Sequence, residues 1–328
     1  MGFDSPLGDK KKNVEMSASK RHIRILLLLA AGLLAGCVRE DPPTPETQEE
    51  IRLDASVWQM MQGAPSRRVS TYDSNTDLQA GTFKTYAYVD GTTDLYIDGS
   101  TVSYSAGQWT FDDGKHYWPA SGSLDFFAYM PATKPDYISS ITYAVSGEPI
   151  APHPSFVCAN LPMTGAGQPN TLKEFIYALT TGQNKASQGA SGVDLTFKHP
   201  FAKIILKLSS TQADIQINKI TLKSIKNNGT YTHGTGWSTT GDSTNFVTEY
   251  TGTQHANDVL GSYILIPQKW EGDIEVNATW IDWGEMIEHT LNTKLSSVTW
   301  APGTSYTYTF TITETDLWVD IEKFTEQW

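Results

Sequence analysis

Between Ile51 and Trp328 no apolar pattern keeps a helical period over three turns, whereas short runs alternating apolar with polar residues recur throughout. Side chains on a strand alternate faces with a period of two, so each run specifies one buried and one solvated face. Ile51, Leu53, Ala55 and Val57 alternate with Arg52, Asp54, Ser56 and Trp58, which predicts a half-buried strand. Further strands are predicted at Phe83 to Val89, Leu95 to Ile97, Thr101 to Ser105, Trp109 to Phe111, Lys115 to Trp118 and Leu124 to Ala128. Asp98-Gly99 and Asp112-Asp113-Gly114 read as hairpin turns, because both residue types tolerate positive φ. Tyr137 to Val145 and Phe156 to Leu161 are weaker strands, and Lys173 to Leu179 fits a strand or one turn of helix equally.

Thr180 to Gly192 is rich in Gly, Gln, Ser and Ala without periodicity, and marks a break. Beyond it, strands are predicted at Val193 to Phe197, Phe201 to Leu208, Ile215 to Leu222, Phe246 to Tyr250, Tyr263 to Pro267, Ile274 to Trp280, Glu285 to Leu291, Tyr306 to Ile312 and Leu317 to Ile321. The three-residue step from Ile217 to Ile220 implies a bulge or a join, while Asn227-Asn228-Gly229 and Gly284 read as turns. Aromatic residues are abundant and charged residues make up only 18%, a composition that favours strands. The expectation is an all-β protein with two β-sandwich domains in tandem, residues 51–185 and 186–328.

Ahead of these strands, Ile23 to Ala35 is almost unbroken aliphatic, preceded by Lys20, Arg21 and Arg24 and followed by Cys37. A basic n-region, a short apolar run and small residues before a cut describe a secretory signal over residues 1–36. The run is too short for a membrane-spanning helix of about 20 residues. Cysteine at the cut resembles the lipobox of bacterial lipoprotein precursors, which implies that Cys37 is acylated and becomes the first residue of the mature chain. Met16 gives an n-region of ordinary length, so residues before it read as an upstream extension. Residues 37–50 read as a tether: Pro42, Pro43 and Pro45 oppose regular structure, and Glu40, Asp41, Glu46, Glu49 and Glu50 keep it solvated. The acidic residues also resemble an export signal to the outer face of the outer membrane.

The net charge of −12 argues against nucleic acid, whose phosphates would be repelled. No P-loop, dinucleotide fingerprint, GxSxG elbow, HExxH or EF-hand loop is present, so neither an enzyme activity nor a cofactor is expected. With Cys37 lipidated, Cys158 has no intrachain partner and reads as a small buried hydrophobe. Asp282, Glu285, Glu288 and His289 cluster locally, but a hairpin would send alternate members to opposite faces, so no metal site is expected. His199 before Pro200 reads as a strand-end residue. Trp237, Trp270 and Trp283 are candidates for stacking on sugar rings, against the commoner role of core aromatics.

Several stretches in order resemble the fimbrillin family of type V pilins and Mfa-like surface lipoproteins. They are the lipobox at Cys37, Arg67-Arg68, and Tyr117-Trp118-Pro119 leading into Leu124-Asp125-Phe126-Phe127-Ala128-Tyr129-Met130-Pro131. They continue with Leu195 to Lys203, Ile264-Leu265-Ile266-Pro267-Gln268 and Trp300 to Thr309. The resemblance implies two transthyretin-like Greek-key sandwiches, export to the outer membrane and cell surface on a lipid anchor, and association with other fimbrial subunits. It also implies an arginine-specific protease cutting after Arg67 or Arg68, so that the strand Ile51 to Val57 is lost and a neighbour's strand fills the groove. Leu317, Val319 and Ile321 alternate as such a donor requires. The other reading is a non-polymerising surface lipoprotein that binds glycans, and the host or microbial ligand is left open by either.

Overall fold

Nearly every predicted strand forms, because the alternating side chains find cores on their apolar faces. The computed structural model describes residues 48–57, 72–147, 151–165, 174–210, 215–282, 284–313 and 316–324. The predicted signal and tether up to residue 47, with Cys37, and also Arg67, Arg68 and Trp283, lie outside them. In chain order the strands are β1 (Leu53–Val57), β2 (Thr82–Val89), β3 (Leu95–Ser105), β4 (Gln108–Phe111), β5 (Leu124–Met130), β6 (Ile138–Thr142) and β7 (Val145–Ser146). There follow β8 (Ala151–Pro152), β9 (Ser155–Cys158), β10 (Ile176–Gln183), β11 (Val193–Phe197), β12 (Ala202–Ser210), β13 (Gln216–Thr232) and β14 (Gly236–Glu249). The last are β15 (Val259–Leu265), β16 (Lys269–Trp270), β17 (Asp273–Asp282), β18 (Glu285–Lys294), β19 (Val298–Thr299), β20 (Ser305–Ile312) and β21 (Leu317–Phe324). A five-residue helix, α1 (Asn75–Gln79), precedes β2; the Ser74 hydroxyl accepts from the Asp77 amide as its cap, and Leu78 is its buried residue.

Seven strands form the first sheet, in the order β10-β5-β2-β3-β4-β1-β11. Its ends meet, since Tyr177 of β10 and Lys198, just past β11, exchange backbone hydrogen bonds of 3.2 and 2.8 Å. The sheet thereby wraps one core that includes Leu53, Val57, Phe83, Phe126, Leu195 and Phe197. One predicted turn and one predicted strand do not form in this sheet. Asp98-Gly99 does not reverse the chain, because β3 runs through it for eleven residues. Gly99, at φ +67, lies opposite a register shift between Thr85 and Ala87, and a β-carbon there would approach the Tyr86 ring to 3.0 Å. Its glycine serves a bulge. The reversal comes instead at Ala106-Gly107, both at positive φ, where no Asn or Asp announces it. Nor is Lys115 to Trp118 a strand; its one bridge is Tyr117 opposite Glu50.

The remaining large sheets face each other. A four-stranded sheet, β15-β12-β20-β21, and a six-stranded one, β18-β17-β13-β9-β6 with β14 also on β13, enclose a second core containing Ile204, Leu206, Ile220, Val276, Trp300 and Tyr308. The expected bulge near Ile217 is present as a register shift between Ile217 and Lys219 against β17. Asn227-Asn228-Gly229, however, is not a turn. β13 continues through it, with Gly229 paired to Thr239 of β14 on one side and Cys158 of β9 on the other. A β-carbon at Gly229 would sit 2.8 Å from the Ser238 carbonyl oxygen, so glycine permits close strand approach.

Strand β5 is buried on both faces. Phe126 and Ala128 point into the first core, while Phe127 and Tyr129 point into a third cluster shared with Phe156, Phe175, Phe201, Tyr231 and Ile264. Sheet membership therefore does not follow the 51–185 and 186–328 division. β11 lies past residue 185 yet completes the first sheet, and β6 and β9 lie before it yet join β13. The inward Val193, Leu195 and Phe197 are needed to finish the first core, which puts β11 there.

Candidate functional site

The site that the family resemblance implies is β1, the strand expected to be lost after cleavage. β1 makes five parallel pairs with β11, from Leu53 opposite Val193 to Val57 opposite Phe197. Its ladder with β4 has one pair, Leu53 opposite Trp109. Side chains supplement that thin seam: Trp109 Nε1 donates to the Ala55 carbonyl at 3.2 Å, and the Val57 amide donates to Asn75 Oδ1 at 2.9 Å. Upstream, the Ile51 amide donates to the His116 carbonyl at 2.8 Å and the Trp118 amide to the Glu49 carbonyl at 2.9 Å. Ile51, Leu53, Ala55 and Val57 are all buried. Burial of the three larger side chains stabilises the sheet by roughly 5–9 kcal/mol.

The start of β1 is clipped to the loop before β11. Gln188, itself buried, accepts from the Arg52 amide at 3.2 Å and donates to Glu49 Oε1 at 2.8 Å. Arg52 donates to the carbonyls of Ala190 and Gly189. Gly192, at φ +131, brings Val193 N within 2.8 Å of the Arg52 carbonyl, and a β-carbon there would meet the Arg52 backbone at 2.6 Å. Gly192→Ala is therefore expected to destabilise the protein by more than about 1 kcal/mol. Amide exchange should quicken at Asp54 and Ser56, whose amides face β11, ahead of β20; equal acceleration in both would contradict this.

Leu317, Val319 and Ile321 lie on the inward face of β21, opposite Ile312, Phe310 and Tyr308 of β20, and pack on the second core. β21 is an edge strand of the four-stranded sheet, so the structure does not bring it beside β1, which lies in another sheet. The tryptophans are less available than the sugar-stacking reading requires. Trp270 is fully buried, stacked on Trp300 with centroids 5.2 Å apart. Trp237 packs edge-on against Phe156 and donates to the Pro200 carbonyl.

A family model described as fimbrillin-like matches residues 68–328. The chain belongs to the fimbrillin-like family. Solved structures share this fold at low identity. A fimbrial protein from Bacteroides vulgatus is 15% identical with a TM-score of 0.58, covering 84% of this chain and 99% of its own. A candidate cell adhesion protein from Bacteroides ovatus is 16% identical with a TM-score of 0.56, covering 84% and 97%. Another from Bacteroides uniformis is 14% identical with a TM-score of 0.52, covering 84% and 98%. No curated protein matches the chain in sequence.

The polar clusters of this fimbrillin-like chain are consistent with a structural role. Ser100, Asp113 and His116 come together, but the Ser100 hydroxyl, 2.7 Å from Asp113 Oδ2, and Asp113 Oδ1 both approach the same imidazole nitrogen, at 3.2 and 3.1 Å. A hydrolase relay needs the acid and the serine on opposite ring nitrogens. Burial pushes the Asp113 carboxyl up, but its bonds to Ser100 and His116 outweigh that and lower it. His199 Nδ1 lies 2.8 Å from Glu174 Oε1, and both side chains are cut off from solvent. Burial raises the Glu174 carboxyl, with His199 and Lys203 pulling it back. This pair was invisible as a pair in the sequence, since 25 residues separate its members. Cys158 is buried in the third cluster, its thiol pushed up to about 12 by burial, which suits a packing residue. Glu288 accepts from Asn218 while the adjacent His289 stacks on Trp280 at 3.7 Å, so the two occupy opposite faces of β18. Among the described residues no group of three His, Cys, Asp or Glu is placed to hold a metal.

Proposed function

We propose that this chain is a fimbrial subunit or fimbrillin-like adhesin, exported as a lipoprotein through Cys37 and assembled by strand exchange after cleavage at Arg67 or Arg68. The observation that carries the reading is β1: a short strand, apolar on its inner face, that closes a sheet by a full ladder to β11 and a thin seam to β4. Its loss would leave the backbone of β11 unpaired over five residues and open an apolar groove beside Leu195 and Phe197. The chain leaves β1 at Val57, bonded to Asn75 of α1, so a cut between them severs the covalent link without displacing either end.

The partners on this reading are further fimbrial subunits, an arginine-specific protease and the outer membrane, and the location is the cell surface. β21 supplies Leu317, Val319 and Ile321 as the incoming strand, whose spacing matches Leu53, Ala55 and Val57. To donate, it must first separate from β20, along which it makes eight pairs. Mass spectrometry of surface-extracted oligomers checks the scheme: the chain should begin at residue 68 or 69. Oligomers whose every chain still begins at acylated Cys37 would overturn it.

A further inference from the structure

Strand β2 turns Phe83, Thr85 and Ala87 into the first core, so Tyr86 and Tyr88 face the other way, beside Phe127 and Tyr129 on the face of β5 that meets the third cluster. With Lys134 and Tyr143 they line a hollow of about 270 Å³. The rings are arrayed as a platform: Tyr86 lies 6.1 Å from Tyr129 and 6.5 Å from Tyr88, both stacked. Tyr143 is laid flat on Tyr88, 3.6 Å apart and 4° from parallel. Its hydroxyl donates to Asp125 Oδ2 at 3.3 Å, and that buried carboxylate also accepts from the amides of Gly91 and Gly182. The wall is thus fixed by a bonded acid, not left to pack freely.

A second hollow, of about 460 Å³, is lined by the continuations of the two stacked segments: Gly91 to Asp94 follow Tyr88 in the chain, and Val145 to Gly147 follow Tyr143. Its lining is of another kind, mostly polar: Thr92, Thr93, Asp94 and Ser146, with Gly91, Gly147 and the one aliphatic Val145. A sugar ring has one face of C–H bonds and a rim of hydroxyls, and the C–H face suits the negative face of an aromatic ring. Small-ligand sites commonly pair an aromatic floor with a few polar groups, at volumes of about 300–1,000 Å³. The net charge of −12 opposes polyanionic glycans.

We propose that the double hollow binds a neutral oligosaccharide, with one pyranose on the tyrosine platform and the next meeting Thr92, Thr93, Asp94 and Ser146. None of these residues belongs to β1 or β21, so the proposal stands whether or not the strands exchange. It moves the sugar-stacking role from the tryptophans to tyrosines that a strand pattern alone assigns to no surface.

Saturation-transfer NMR on the full chain in detergent tests it, with cellotriose, maltotriose, mannotriose and triacetylchitotriose as probes. At least one should receive saturation at its axial C–H protons. Tyr88→Ala should weaken that binding at least tenfold. Thr93→Trp, at an exposed loop position, should block it by filling the second hollow without touching a core. Tyr96→Ala, exposed outside both hollows, should leave it unchanged. The proposal fails if no probe is saturated, if transfer survives both Tyr88→Ala and Thr93→Trp, or if a polyproline decapeptide binds where the saccharides do not.

Discussion

Replacing Arg67 and Arg68 together by alanine is expected to abolish SDS-resistant oligomers of the surface-extracted protein while leaving the monomer folded. The expected effect is all-or-none, because the competition is between two strands for one groove. The inward side chains of β1 contribute roughly 5–9 kcal/mol. That is comparable with the whole stability of an ordinary domain, about 5–15 kcal/mol. While the chain is continuous, β1 faces its groove at an effective concentration in the range of mM, which no strand from another molecule matches. Cutting between Val57 and Asn75 removes the tether but none of the contacts, so β1 should stay bound until a competing strand displaces it. Gel ladders from wild-type and Arg67→Ala/Arg68→Ala cells decide the matter. Undiminished ladders in the variant would rule out cleavage at this pair as the trigger.

Removing one member of the buried Glu174–His199 pair should produce a larger stability loss than removing a partner of any of the surface ion pairs. The two atoms lie 2.8 Å apart with both side chains buried, and Lys203, near Glu174, is itself 2.8 Å from Asp73. Glu174→Ala removes this buried 2.8 Å contact to the His199 ring and is expected to cost about 3–5 kcal/mol in urea or thermal unfolding. Glu174→Gln, which keeps an acceptor of the same shape, should cost clearly less. The pH dependence has a definite sign. Burial raises the Glu174 carboxyl above its ordinary value of 4.5, so the folded chain retains a proton that the unfolded chain has released. Its contribution therefore favours folding at low pH and falls as pH rises from the ordinary carboxylate range through the folded value. Glu174→Gln should remove that downward slope; an unchanged slope would show that other groups cause it.

Strand positions were legible wherever one face meets water. Ile51 to Val57, Tyr306 to Ile312 and the hairpin around Gly284 all follow from alternation, as does the bulge near Ile217. Turn chemistry was less dependable. Asp98-Gly99 and Asn227-Asn228-Gly229 carry turn signals, yet there the glycines serve a bulge and a close strand approach, whereas Ala106-Gly107 turns the chain without such a signal. Local propensity describes which dihedrals a residue tolerates, and several different structures use the same tolerance. β5 forms as the alternation of Leu124, Phe126 and Ala128 predicts, but its partners are not legible. Its residues are buried on both sides, so which of Phe126 and Phe127 faces which core depends on layers distant in sequence.

The sequence by itself determined that the chain is all-β, that Leu53, Ala55 and Val57 share an inner face, and that Leu317, Val319 and Ile321 repeat their spacing. These depend on a period of two, a property of the local backbone. Only the tertiary structure decided that β1 sits between β4 and β11, held by a full ladder on one side and a single pair on the other. It also decided that Glu174 meets His199 and that Tyr88 and Tyr143 stack into the wall of a cleft. Those facts arise from pairings and packing between segments far apart in the chain, where burial of a whole layer selects the partner and no neighbouring residue records the choice.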